Sequence, residues 1–352
     1  MGIIALTIPP MASESVTDFA LLDYIDGLVE DLRGHVPAAL TKWDSDAIHR
    51  SRVATRRLKA ALDLLKPVLS DEQRKPFAVV LRKLRRRLGP LRDLDVMIGH
   101  LAELRGAHAH GGAVQWLGDR LRARREAQRE AIPGKRAHSR VLARLGTWWG
   151  LREEVAEARE AADSLLAQSL HLQLDAFAEQ ADRLSGKTLG CDPAQPQDPH
   201  AVRIAAKNFR YTLEMAGVQG HKLPVSIMRG FKRMQESLGL WHDYVVLTER
   251  AMQVSLEELL PHHDAALQAR VLNLARMLLG RSSRHMDQFS KLWLAKGDEV
   301  AGAIRTVFPL TQPGNGPEGG DASRLVSESK TDRDPPGSDE TPAPAASPPD
   351  AA

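Results

Sequence analysis

Apolar residues recur every three or four positions along most of this chain, which is the spacing that places them on one face of an α-helix. The strict alternation of apolar and polar positions that indicates a β-strand is absent. The sequence therefore predicts an all-α protein. Gly89 and Pro90 are predicted to end or kink one of the helices. The predicted helices cover about 15–34, 43–65, 72–88, 91–104, 114–131, 139–184, 200–213 and 264–295.

A stripe of basic side chains occupies the polar face of the second predicted helix. At about 100° per residue, four basic residues fall within one narrow arc, opposite an arc of alanine and leucine. A single run of charge usually indicates no more than a face in contact with solvent. The four residues are His49, Arg52, Arg56 and Lys59.

The stripe occurs a second time, 151 positions later, which changes that interpretation. Each copy is followed, about 30 residues on, by a basic and apolar helix that ends in Leu-Gly. An aspartate, Asp93 or Asp243, stands four residues after that glycine. Duplication at this long period indicates two similar helical units, not a solenoid of short repeats. The second stripe consists of His200, Arg203, Lys207 and Arg210.

This ordered pair of motifs resembles the conserved histidine α-helical domain family, called CHAD, over about residues 12–308. The resemblance implies two pseudo-symmetric four-helix bundles that face a central basic groove. The halves would cover about 12–185 and 196–308, on either side of a Gly- and Pro-rich linker. The resemblance also implies that the groove binds inorganic polyphosphate. Members of the family are found on polyphosphate granules or joined to triphosphate-processing domains.

The same resemblance assigns the two stripes to opposite walls of the groove, with further basic residues on the following helices. The symmetry is not strict, because Glu236 stands where the first half has Arg86, and His242 where it has Arg92. We therefore expect the second wall to hold phosphate less strongly. The predicted polyphosphate-binding residues are His49, Arg52, Arg56, Lys59, Arg82, Lys83, Arg86, His200, Arg203, Lys207, Arg210, Lys232 and Arg233.

Composition narrows the class of protein. At 352 residues with 43% hydrophobic content, the chain can bury a sizeable core. The single cysteine, Cys191, excludes an internal disulfide framework and a multi-cysteine zinc site. No apolar run approaches the roughly 18 to 20 residues that cross a membrane. We expect a cytoplasmic protein, and the family resemblance implies that it is associated with polyphosphate granules.

Charge is distributed unevenly along the chain. The segment 312–352 has eight acidic and three basic side chains, a balance of −5, so the net charge of +3 leaves about +8 on the remainder. A basic body of this kind suggests a polyanionic partner. The acidic segment is rich in Pro, Gly and Ser and is expected to be disordered, and residues 1–11 are expected to be flexible.

Catalysis is not expected from these residues. Phosphoryl transfer normally needs a metal held by clustered acids, or an activated nucleophile, and the sequence contains neither pattern. The repeated Glu-x-Glu pattern of the family's fused triphosphate-processing domains is also missing. We expect a binding protein without catalytic residues, metal or cofactor. Asp93 and Asp243 are interpreted as helix caps, or as residues that orient neighbouring bases.

Two other functions stay open at this stage. A basic groove cannot distinguish one polyanion from another by charge alone, so nucleic acid is the main rival ligand. A groove for bases should also carry exposed aromatic rings between the cations, and only Tyr211 flanks a stripe. The third possibility is an accessory scaffold for a phosphate-metabolising enzyme, with the acidic segment recruiting a partner.

Overall fold

A computed structural model describes residues 19–104, 110–131, 135–187, 198–259 and 264–309. Within these ranges every regular element is helical, which confirms the predicted all-α class. Both predicted terminal segments, 1–11 and 312–352, and most of the predicted linker lie outside the described residues. The helices are α1 (Ala20–Thr41), α2 (Ser45–Leu64), α3 (Asp71–Leu104), α4 (Gly111–Ala131), α5 (Lys135–Leu145), α6 (Trp148–Glu157), α7 (Arg159–Ser185), α8 (Pro199–Val218), α9 (Val225–Glu258) and α10 (Ala265–Val307).

Aspartate side chains start the two helices that carry the basic stripes. Asp44 accepts a 2.7 Å hydrogen bond from the backbone N–H of Ala47 at the start of α2. Asp198 accepts from the N–H groups of His200 and Ala201 at the start of α8. These carboxylates accept hydrogen bonds from N–H groups that have no partner within the helix. The positions of the two aspartates therefore determine where the stripe-bearing helices begin.

Helices α3 and α9 are each 34 residues long and continuous. Gly89 and Pro90 were predicted to end or kink a helix, and the first of these alternatives is wrong, because α3 continues through both. Pro90 lacks the N–H that would bond to the carbonyl four residues earlier. Leu88 and Leu91 on either side of the pair are fully buried, so packing holds the helical path where local propensity would end it.

Two clusters of buried apolar residues form the core, and α3 and α9 cross both. On α3 the change of cluster falls between Leu91 and Leu94, and on α9 between Leu238 and Tyr244. The larger cluster combines residues from α1 to α3 and α5 to α10, and the smaller one residues from α3, α4, α9 and α10. Each cluster therefore draws on both predicted halves of the sequence.

The larger cluster contains the Trp148 side chain. Its indole packs 5.7 Å from the ring of Phe77, between ring centroids, and donates a 2.7 Å hydrogen bond to Asp26. The neighbouring Trp149 is 55% exposed, with the guanidinium groups of Arg33 and Arg152 over its ring.

The sequence-matched helices have equal lengths, 20 residues for α2 and α8, and 34 for α3 and α9. The internal duplication, and its arrangement as two four-helix bundles, remain predictions. In the described part of the chain no helix is both long and apolar enough to cross a membrane.

Candidate functional site: a central cluster of charged side chains

Helices α2, α3, α8 and α9 meet near the level at which α3 and α9 pass from one apolar cluster to the other. The polar faces of α2 and α8 bring their basic stripes toward two aspartates, one on α3 and one on α9. We call this group the central cluster. Its members are Arg52, Arg56, Asp93, Arg203, Lys207 and Asp243.

Arg52 is held against α3 by two contacts. Its guanidinium donates a 2.8 Å hydrogen bond to the backbone carbonyl of Arg85 and lies 3.9 Å from the Asp93 carboxylate. A Cβ on Gly89 would stand 3.1 Å from the Arg52 Nη1 atom, so the glycine leaves room for this guanidinium. Only 11% of the Arg52 side chain is exposed, which gives it a structural role beside any contact with a ligand.

Arg56 and His49 extend the first wall. Burial lowers the pKa of His49, and the charge of the nearby Arg92 lowers it further, so the imidazole is neutral at neutral pH. Arg56 acts electrostatically on Asp93, Arg203 and Lys207, so it faces the second wall as well as its own.

The second wall contains two histidines in contact. The ring centroids of His200 on α8 and His242 on α9 are 5.2 Å apart. Burial lowers the pKa of His242 to about 3, and the charge of Arg203 reinforces the effect. Burial also lowers the pKa of His200, again with Arg203 adding to the shift. Both rings are therefore neutral at neutral pH.

Lys207 has the most unusual environment in the second wall. Burial lowers the pKa of its ammonium group to about 6, and the charges of Arg203 and Arg56 contribute in the same direction. In the part of the chain that the structure describes, no carboxylate oxygen lies within 4 Å of Arg56, Arg203 or Lys207. Cationic groups are thus gathered here without direct ion-pair partners.

The two aspartates lie in helix interiors, so the interpretation of Asp93 and Asp243 as helix caps is wrong. They contact bases instead, as the alternative interpretation predicted. Asp243 lies 3.5 Å from the His100 ring nitrogen. Burial alone would raise the pKa of Asp243, but this contact and the charge of Arg203 lower it. The same contact raises the pKa of His100.

Asp93 differs from Asp243 in the direction in which its pKa is shifted. Crowding by the surrounding protein raises the pKa of Asp93, although Arg52 and Arg56 oppose the change. Its side chain is nonetheless 63% exposed.

Some predicted members of the stripes bind carboxylates on their own helices. Lys59 lies 2.6 Å from Asp63, and Arg210 lies 3.0 Å from Glu214. The Arg210 guanidinium also lies 4.8 Å from the ring centroid of Tyr211. These two cations are partly neutralised, which makes them weaker candidates for a ligand than Arg56 or Lys207.

The supplementary basic residues lie outside the central cluster. At about 1.5 Å per residue they stand roughly 10 to 17 Å along the helix axis from the aspartate that follows them. Helical periodicity places Arg82 and Arg86 on the same face as Asp93, so this stripe continues away from the cluster. On the corresponding face of α9, Glu236 lies 3.7 Å from Lys232, and its negative charge partly offsets the positive charge of the lysine. The supplementary residues are Arg82, Lys83, Arg86, Lys232 and Arg233.

Sequence reasoning missed three contacts of the site. Arg92 acts on His49, His100 pairs with Asp243, and Arg57 pairs with Glu214 at 2.8 Å across α2 and α8. His100 stands seven positions after Asp93, on the same helix face, which was an available signal. The other two contacts depend on how the helices are rotated against each other.

The CHAD domain family model matches residues 23–252, which is more than half of the chain. The chain belongs to the CHAD domain family. This family is associated with polyphosphate-related proteins. No relative is found among the curated proteins.

Two solved structures resemble the CHAD chain at low sequence identity. The crystal structure of the CHAD domain from the plant Ricinus communis has 19% identity and a TM-score of 0.49, covering 83% of this chain and 91% of that one. PptA from Streptomyces chartreusis has 18% identity and a TM-score of 0.48, covering 78% and 98%.

Proposed function

We propose that this protein binds inorganic polyphosphate along the central cluster, without catalysing a reaction, and that this binding localises it to cytoplasmic polyphosphate granules. The observation that carries the proposal is the gathering of Arg56, Arg203 and Lys207 from two facing helices, with no carboxylate within 4 Å in the described residues. Like charges repel, so such a group is stable only at a cost, which a bound anion would offset.

The shape of the cationic surface favours a long anion over a compact one. Helical side chains three, four and seven residues apart lie in a row with steps of about 5 Å. Arg82 and Arg86 continue the row on α3, beyond the central cluster. A linear chain of phosphates can contact successive cations along such a row, whereas a single phosphate reaches only one or two.

The non-catalytic part of the proposal rests on the central carboxylates. Asp243 is engaged by His100, and Asp93 lies beside Arg52. Both positions orient bases that would face the ligand. In the described residues no three His, Cys, Asp or Glu side chains are grouped to hold a metal ion.

Single-stranded nucleic acid is a second candidate because of one specific observation. The Trp241 ring centroid lies 6.0 Å from that of His242, which in turn lies 5.2 Å from that of His200. Rings beside a cationic groove can stack on bases, and stacking contributes about 1–3 kcal/mol per base. The aromatic group is limited to the second wall, whereas the cations come from both.

Competition among three ligands of matched total charge separates these functions. Polyphosphate of about 100 units should displace a labelled long chain far better than tripolyphosphate does, and better than single-stranded DNA. Binding should weaken steeply with salt, because bound counterions are released. Equal competition by the DNA would favour the nucleic acid function, and equal competition by tripolyphosphate would contradict a row of sites.

Two alanine variants of α2 provide a matched pair. Arg56→Ala removes a cation without an ion-pair partner, and we expect affinity for long polyphosphate to fall on the order of tenfold to a hundredfold. Lys59→Ala removes a cation that is already paired with Asp63, and we expect a change below about threefold. The Arg56 variant should also leave the granules in fluorescence microscopy of cells. Retained affinity in Arg56→Ala would contradict the proposed site.

A further inference from the structure

The two walls of the central cluster differ in which of their basic residues can change protonation, and the number of basic residues does not show this difference. At matched positions, the first half has Arg56 and Arg92, and the second has Lys207 and His242. Arginine stays charged at every physiological pH, whereas lysine and histidine change charge when their surroundings change. At these two positions the first wall is therefore permanently cationic, and the second wall has groups that can gain or lose a proton.

The neighbours of Lys207 come from its own helix and from two others. On α8, Arg203 stands four residues before it and Arg210 three residues after it. From α2 it meets the charge of Arg56, and from α9 that of Asp243, with the neutral His242 ring on the same helix. Only Asp243 among these groups favours the ammonium form, and it is also engaged by His100.

The remaining helices that pack on α8 do not change this balance. Helix α7 contributes apolar residues and Gln173, which accepts a hydrogen bond from Thr212. Helix α1 brings Tyr24 toward Glu214, where Arg57 and Arg210 are bound. The Glu214 carboxylate is thus occupied and does not neutralise Lys207.

Packing holds Lys207 in this position. The adjacent backbone carbonyl of Ala206 accepts a 3.3 Å hydrogen bond from Gln235 of α9, and about two turns before Lys207 the His200 and His242 rings are in contact. Helix α8 is therefore anchored to α9 next to the base of the Lys207 side chain.

We propose that polyanion binding is coupled to the uptake of one proton by Lys207, so that at neutral pH this position of the second wall becomes cationic only when the ligand is present. This inference rests on the function proposed above and adds the regulation of the same site by pH. Phosphate oxygens would replace the missing carboxylate beside the amine and favour its charged form.

The direction of the pH dependence follows from the lowered pKa of Lys207, which is about 6 in the free protein. Below that pH the amine is already charged, and binding takes up no proton. Above it the free protein holds a neutral amine, and binding must bring in a proton, so affinity falls as pH rises. The fall should reach up to about tenfold per pH unit, for one proton taken up, until the pH passes the pKa of the bound state.

Isothermal titration calorimetry of the full chain with long polyphosphate tests the coupling directly. Titrations at pH 7.5 in two buffers with different ionisation enthalpies give the number of protons taken up, and we expect about one. Lys207→Arg supplies a permanent charge at the same place. In that variant the proton uptake should fall by nearly one. The decrease of affinity with rising pH, about tenfold per pH unit in the original protein, should largely disappear. Lys291→Arg, at an exposed position of α10 outside the central cluster, is the matched control and should behave as the original protein does.

Each outcome decides between the two proposals. Tight binding with no proton uptake contradicts the coupling and leaves polyphosphate binding intact. Uptake that persists unchanged in Lys207→Arg also contradicts the assignment to Lys207. Failure to bind polyphosphate at both pH 6 and pH 7.5 contradicts the proposed function itself, and the coupling with it. Should Lys207→Arg not fold, the two-buffer measurement on the original protein still decides whether a proton is taken up.

Discussion

Arg57 of α2 donates a 2.8 Å hydrogen bond to the Glu214 carboxylate of α8, although the two residues are 157 positions apart. The same carboxylate accepts a hydrogen bond from Arg210 at 3.0 Å. The pair ties together the two helices that carry the basic stripes. The Arg57 guanidinium is bound to a carboxylate, whereas the guanidinium of the adjacent Arg56 has no carboxylate oxygen within 4 Å in the described residues.

Loss of this pair should affect stability more than binding. Arg57→Leu leaves a partly buried carboxylate with one partner fewer, and we expect the free energy of unfolding to fall by about 1–3 kcal/mol. Urea unfolding measures the loss, and a double-mutant cycle with Glu214→Gln isolates the pairwise contribution. Polyphosphate affinity should change by less than about threefold. A large loss of affinity without loss of stability would assign Arg57 to the site instead.

Two matched glycines should respond differently to alanine. A Cβ at Gly239 on α9 meets nothing within 4 Å, so Gly239→Ala should raise the free energy of unfolding by roughly 0.5–1 kcal/mol through helix propensity. A Cβ at Gly89 would stand 3.1 Å from the Arg52 guanidinium, so Gly89→Ala should gain less or lose stability. It should also weaken polyanion binding by displacing Arg52. Equal stabilisation by the two substitutions would show that Arg52 adjusts freely.

Lys207 should destabilise the free protein while it supports binding. Its pKa is lower in the folded state than the ordinary lysine value of 10.5, so the unfolded state holds more protons between about pH 6 and 10.5. The stability contributed at this position is therefore lowest at or below pH 6 and rises with pH. Lys207→Met should raise the free energy of unfolding by on the order of 1–3 kcal/mol at pH 6.

Chemical unfolding of Lys207→Met at pH 6 and at pH 9 checks this prediction. The advantage of the variant over the original protein should shrink at the higher pH, because the original protein is then less penalised. The variant should also bind polyphosphate less tightly. An advantage that is the same at both values would contradict the environment described for the amine.

Removal of the acidic segment 312–352 should have a modest effect. Its −5 balance opposes a basic body, and screening at physiological ionic strength extends to about 8 Å. The segment can therefore influence a ligand only through direct contact. Deletion should strengthen polyphosphate binding by less than about tenfold or leave it unchanged, as measured in the same titration. Markedly weaker binding after deletion would indicate that the segment takes part in binding.

Local pattern was enough to predict the helical class and the faces that carry the bases. The 3.6-residue period placed His49, Arg52 and Arg56 on one side of α2, and the structure has them facing the cluster. The period could not show that α3 continues through Gly89 and Pro90, because that depends on burial of Leu88 and Leu91 on both sides. Packing in the folded chain overrides a strong local signal there.

Charge partners were the least predictable part of the site. Pairs four residues apart, such as Lys59 with Asp63, follow from helix geometry and reduce the stripes to fewer effective cations. The choice of Asp93 and Asp243 as neighbours of the stripes depends on the rotation and offset of four helices. Sequence reasoning allowed these aspartates two roles, and only the arrangement in space decided against caps.

The central cluster stands on interior turns of α2, α3, α8 and α9, with no loop among its members. Side chains on packed helices are already near their bound positions, so the protein has little order to gain when a ligand arrives. Most of the conformational entropy lost on binding would then be lost by the flexible polyanion. Association should then be limited by diffusion and electrostatic attraction, with a rate constant that falls as salt is added and with no slow closing step.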